Sequence, residues 1–119
     1  MAKKFKGVIK SFYRSGNLKE EWTYKAGRLN GIHRTFREDG SVKSEILYKN
    51  DSLHGKSKFF YPDGALHLLM LYKKNVPVKK GYVFYEDGEI REVRVFKKGK
   101  LAETRKYGRE AKQPAEEKK

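Results

Sequence analysis

Cysteine is absent from all 119 residues, which excludes disulfides, thiolate nucleophiles and cysteine-bearing zinc sites. Long apolar runs are absent too. The densest, Leu66 to Tyr72, is broken by His67 and is far short of a membrane-spanning length. The basic residues of Met1–Lys6 lead into no apolar stretch, so a standard signal peptide is not expected. These absences make a soluble cytoplasmic protein the expectation. Acidic side chains are in short supply, 15 against 29 basic ones, and the net charge is +14. More than half of the excess lies in the first six residues and from Lys97 onward. That imbalance points to acidic partners or to simple solubility.

Catalytic signatures are also missing. There is no glycine-rich phosphate loop leading into a helix, no nucleophile elbow and no paired-acid motif. No catalytic residue is therefore assigned, and no cofactor is implied. His33, His54 and His67 have no mutual spacing that suits a metal, so no metal ligand is assigned.

What the chain does have is a period of 24 residues. Gly16, Gly40, Gly64 and Gly88 mark it without a gap. Four residues before each stands Phe12, Phe36, Phe60 or Phe84; two after, Leu18, Val42, Leu66 or Ile90. Eight after comes Tyr24, Tyr48, Tyr72 or Phe96, followed by Lys25, Lys49, Lys73 or Lys97. The residues leading into the glycines include Glu38-Asp39, Pro62-Asp63 and Glu86-Asp87. Pro presets the first central φ of a type I turn, Asp suits the second, and Gly takes the left-handed position after it. A three-residue hairpin loop with a glycine bulge follows. The ladder Asp39, Asp63, Asp87 is thereby explained by turn chemistry.

With that loop Phe12 is expected opposite Leu18, Lys10 opposite Glu20 and Val8 opposite Trp22. One face then carries the Phe column and its aliphatic partners with Trp22, Ile46 and Met70. The other is polar at first (Ser11, Lys19, Glu21, Thr35, Lys43, Glu45). In the third and fourth copies it turns apolar (Phe59, Leu69, Leu71, Val83, Val93, Val95). Each hairpin is joined to the next by a longer link, such as Lys25–Gly31. The expected fold is all-β, a single-layer antiparallel meander of about eight strands. A basic segment 1–6 precedes repeats at 7–30, 31–54, 55–78 and 79–101. A charged tail over 102–119 is expected to fray, with a helical turn or two around Ala102–Lys112.

The glycine, aromatic and x-Asp-Gly columns resemble the MORN-repeat variant found in YwqK-type antitoxins. The opening glycines Gly7, Gly31 and Gly55 fit the pattern; in the fourth copy Lys79 stands in that place. Asp51 and Asn75 replace the glycine seen at Gly27 and Gly99, and both tolerate left-handed φ. The resemblance implies a single curved antiparallel sheet and a scaffold that neutralises a toxin by binding it.

An apolar second face needs a cover: the tail, a second copy or a target. The expected partner-binding residues are Phe59, Tyr61, Leu69, Leu71, Val83, Tyr85, Val93 and Val95. A row of charge at Lys25, Lys49, Lys73 and Lys97 is the candidate anion-binding site. Three functions compete: a protein-binding module of the antitoxin or immunity type, a basic adaptor for membrane or nucleic acid, and a structural scaffold. Tyr13, Tyr61 and Tyr85 would offer stacking platforms to single strands.

Overall fold

A computed structural model describes residues 4–108. Ten antiparallel strands form one open sheet in sequence order, save that the two-residue seventh strand pairs only with the sixth, which also pairs directly with the eighth. They are β1 (Gly7–Phe12), β2 (Leu18–Lys25), β3 (Arg28–Phe36), β4 (Val42–Lys49) and β5 (Ser52–Phe60). β6 (Leu66–Lys73), the two-residue β7 (Val76–Pro77), β8 (Lys79–Phe84), β9 (Ile90–Lys97) and β10 (Lys100–Lys106) follow. The body measures 67 × 41 × 16 Å, and the short dimension leaves room for one layer. The expected meander is confirmed. Among the described residues no helix is long and apolar enough to cross a membrane.

Each glycine-tipped turn forms as the sequence implies. The amide of Gly16, Gly40, Gly64 or Gly88 donates to the carbonyl three residues back at 2.9 Å. Asp39 Oδ1 accepts from Ser41 N at 2.8 Å and from Ser41 Oγ at 2.7 Å, and those bonds hold its carboxyl below the usual range. Asp63 and Asp87 accept from Ala65 N and Glu89 N in the same way.

The register departs from expectation one step beyond the turn. Phe12 does pair with Leu18, but Ser11 pairs with Glu20, so Lys19 is an extra residue on the return strand. Lys43, His67 and Arg91 are extra at the same place in the next three hairpins. Lys10 therefore meets Glu21 and Ile9 meets Trp22. A one-residue slip exchanges the faces of everything beyond it. The Phe column does not share a face with Trp22, Ile46 and Met70, as had been expected.

The links differ as well. Lys25 pairs with Arg28, Lys49 with Ser52 and Lys97 with Lys100, so only two residues turn the chain. Both have positive φ (Asn50 48°, Asp51 70°; Lys74 49°, Asn75 70°), as a type I′ turn requires. Asp51 and Asn75 contribute more than tolerance of that φ. Their side chains accept from Leu29 N and Leu53 N at 2.8 Å, tying each link to the preceding one. The remainder of the expected long link is strand with a wide bulge. Gly31 (φ 124°) and Gly55 (φ 104°) sit in these bulges, and a Cβ there would come within 3.1 Å of Thr23 or Leu47. Lys79 takes the equivalent position with φ 60°.

The sheet also runs further than the four repeats. Lys100–Lys106 is an edge strand, so the helical turns expected around Ala102 do not form over the described part of that stretch. The rest of it lies outside the described residues. β10 stands where a fifth repeat would begin, but Glu103 occupies the opening-glycine position and one extra residue replaces the wider bulge.

Candidate functional site

The observed pairing sorts the side chains into two faces. One carries Trp22, which pairs in sequence across the strands with His33, Ile46, Ser57 and Met70. Beside that row run Glu20, Thr35, Ser44, Phe59, Leu68 and Val83. His33, Ser44, Ser57, Met70 and Val83 are buried, so this face covers itself. Trp22 and His33 stack with centroids 3.4 Å apart, and Thr35 and Ser44 share a 2.6 Å hydrogen bond. His33 Nε2 lies 3.4 Å from Glu20 Oε2 but is misaligned for a hydrogen bond, and neither ring nitrogen has a partner. Burial lowers its pKa from 6.5, and Glu20 opposes that shift only in part.

The opposite face carries Arg34 and changes character along the sheet. Lys10, Glu21, Arg34, Glu45 and Lys58 are successive cross-strand partners, alternating in sign. Arg34 binds Glu45 Oε2 through Nε at 2.9 Å and reaches Glu21 Oε1 through Nη1 at 3.5 Å. Opposite charges directly across a ladder stabilise a sheet, so this half satisfies itself. From β6 onward the same row reads Leu69, Tyr82, Val93 and then Arg105. The row beside it reads Lys56–Leu71 and then Lys80–Val95–Glu103. Leu71, Lys79, Lys80, Tyr82, Val95 and Phe96 line an open hollow of about 400 Å³. Among the described residues nothing from a second layer lies over it.

The expected partner-binding set is thus divided. Leu69, Leu71, Val93 and Val95 come together on the Arg34 face, whereas Phe59 and Val83 belong to the Trp22 face. Tyr61 and Tyr85 are at the turns, where their hydroxyls donate to Phe84 O at 2.7 Å and Tyr107 O at 2.8 Å. Tyr13 and Arg37 do the same to Phe36 O and Phe60 O, both at 2.6 Å. Each of the first three hairpin tips is thereby fastened to the next, and the fourth to Tyr107 just after β10. The tyrosine rings are engaged as well: His67 stacks on Tyr61 at 4.2 Å, and Lys19 and Arg91 lie over Tyr13 and Tyr85. Lys25, Lys49, Lys73 and Lys97 are exposed at the strand ends that flank the two-residue links. Tyr82, Lys58 and Lys80 were missed. Only the extra residue at 67 and 91 brings them beside Leu69 and Val93, and plain alternation conceals it.

Among the described residues no group of three His, Cys, Asp or Glu side chains is placed to hold a metal ion. The family model for the MORN repeat variant matches the sequence over residues 6–26, 29–50 and 53–74. The chain belongs to that family. The matched segments make up more than half of the sequence and leave the fourth hairpin unmatched. No curated protein matches the chain. MORN repeats generally serve in protein or membrane-lipid binding and are generally non-catalytic.

Proposed function

We propose that this protein is a non-catalytic, cytoplasmic protein-interaction module whose partner seats on the C-terminal half of the Arg34 face. Covering a partner's working surface there is the action of an antitoxin or immunity protein. One observation carries the reading: a charge ladder that neutralises itself gives way, within one sheet, to Leu69, Leu71, Tyr82, Val93 and Val95. Val93 is 6% exposed and the other four are half-buried. Contiguous apolar surface that a single layer leaves partly open marks interaction sites.

The alternative is an adaptor for an anionic surface, supported by the exposed column Lys25, Lys49, Lys73 and Lys97. Salt separates the two. Binding to a polyanion weakens steeply between 50 and 300 mM salt at roughly one power of concentration per neutralised charge, whereas an apolar interface changes little. The direct test captures partners with the wild type, with Leu71→Asp and with the four lysines changed to Glu. The interaction reading expects Leu71→Asp to keep the strand circular-dichroism signal and lose the partner, while the lysine variant retains it. The reverse pattern would establish the anionic adaptor.

A further inference from the structure

We infer that the partner of the Arg34 face is acidic and presents an aliphatic ridge flanked by carboxylates, of which an acidic amphipathic helix is the simplest form. This rests on the interaction reading above and adds the chemistry of what is bound. The apolar patch is framed by cations. Lys58 pairs across the strands with Leu69, Lys56 with Leu71 and Lys80 with Val95. None of the three makes an ion pair among the described residues. The carboxylates in these rows are taken by arginines: Glu21 and Glu45, the latter across from Lys58, by Arg34, and Glu103 by Arg105 at 2.6 Å. The lysine frame is therefore answered only at a distance, as Lys80 is by Glu103, and holds no carboxylate of its own.

Three covers compete, and charge separates them. Residues 109–119 of the chain itself contribute no apolar side chain larger than those of Ala111, Pro114 and Ala115. Laid over the patch, they would remove little apolar area from water. A second copy would pair the face with itself about a two-fold axis. That sets Lys56, Lys58 and Lys80 against their own kind, between molecules that each carry +14. An acidic partner meets both demands at once, burying the aliphatics and answering the lysines. On the face of a sheet, as opposed to its edge, a helix is a usual second layer. From β5 to β10 the patch crosses four inter-strand steps of about 4.8 Å, roughly 19 Å. About 13 helical residues span that distance.

The test titrates the full-length chain with three synthetic 18-residue helical peptides, followed by methyl and amide NMR in 100 mM NaCl. The first has a leucine stripe and glutamates elsewhere; the second replaces glutamate by lysine; the third replaces leucine by serine. The expected result is shifts at Leu69, Leu71, Val93 and Val95 with the first peptide. Its affinity should be at least tenfold above either other peptide, and Lys58→Glu or Lys80→Gln should narrow that margin by about fivefold. If the glutamate and lysine peptides bind this face equally, the face remains an interaction surface and the acidic partner is wrong. If none shifts these residues, both readings fall. Concentration-dependent shifts at the same residues without peptide would assign the face to a second copy and overturn the inference.

Discussion

Gly55→Ala tests the wide bulge that follows the two-residue link and opens the third repeat. The backbone there has φ 104°, well beyond the left-handed well near 57° that a side chain tolerates best, and a new Cβ would lie 3.1 Å from Leu47 Cδ1 and 3.5 Å from Leu47 Cβ. Left-handed backbone at a non-glycine residue costs about 1–3 kcal/mol. Removing glycine's freedom in the unfolded chain returns about 0.4–1 kcal/mol. Leu47 can rotate its far methyl away, so crowding adds less than the backbone does. The net expectation is a loss of about 1–2 kcal/mol. Urea denaturation followed by circular dichroism reads this as a lower midpoint with an unchanged slope. Gly64→Ala is the control: its φ is 97°, and nothing lies within 4 Å of the added methyl. It should cost the backbone share alone. Combining Leu47→Ala with Gly55→Ala should recover the difference between the two glycine variants. A Gly55→Ala protein as stable as the wild type, or more stable than Gly64→Ala, would refute the packing of Leu47 over that bulge.

Acidification should be felt at His33. Its pKa is lowered in the folded protein, so the unfolded chain takes up the proton first. That share of stability is complete above pH 6.5, declines as the pH falls through 6.5, and levels off below the folded-state value. His33→Phe should flatten the dependence, and fluorescence of Trp22, the chain's one tryptophan, reports the stacked ring directly. Tyr61→Phe removes the donor to Phe84 O while keeping the ring on His67, and should cost about 0.5–1.5 kcal/mol by urea midpoint. Arg34→Gln should cost about 0.2–1 kcal/mol at low ionic strength and less in 1 M NaCl, because its partners are partly solvated.

The parts of the fold governed by short-range chemistry were readable. Pro62-Asp63-Gly64 and its equivalents announced the turns, and the 24-residue period announced the meander. The faces were not readable, because Lys19, Lys43, His67 and Arg91 give no sign of being extra residues. An alternating strand can absorb one more residue without changing its composition. The two-residue links were hidden for a related reason. Asp51 and Asn75 were recognised as tolerant of left-handed φ and Asn50 and Lys74 were not, and the wide bulge behind them made the connection look longer than it is. β10 escaped notice because Lys100–Lys106 is polar and every residue in it is exposed. Such a strand is held by its ladder to β9 and by the Tyr85 hydroxyl, with no apolar pattern to reveal it. Half of the residues expected to bind a partner lie on one face because Leu69 with Leu71, and Val93 with Val95, keep step whichever way the face is turned.

The fastening of each hairpin to the next alone has a mechanical consequence. A molecule whose contacts are all between sequence neighbours comes apart as a zipper does, from an end, one unit at a time. Amide exchange should then be graded along the chain, slowest near β4–β5 and fastest at β1 and β10. The apolar patch belongs to the end that is closed by the slipped strand β10. Opening that strand would bare the edge of β9 and release Arg105 from beside Val93. Whatever seats on the patch would therefore also act as a clasp, and a bound partner should slow exchange most at the C-terminal strands.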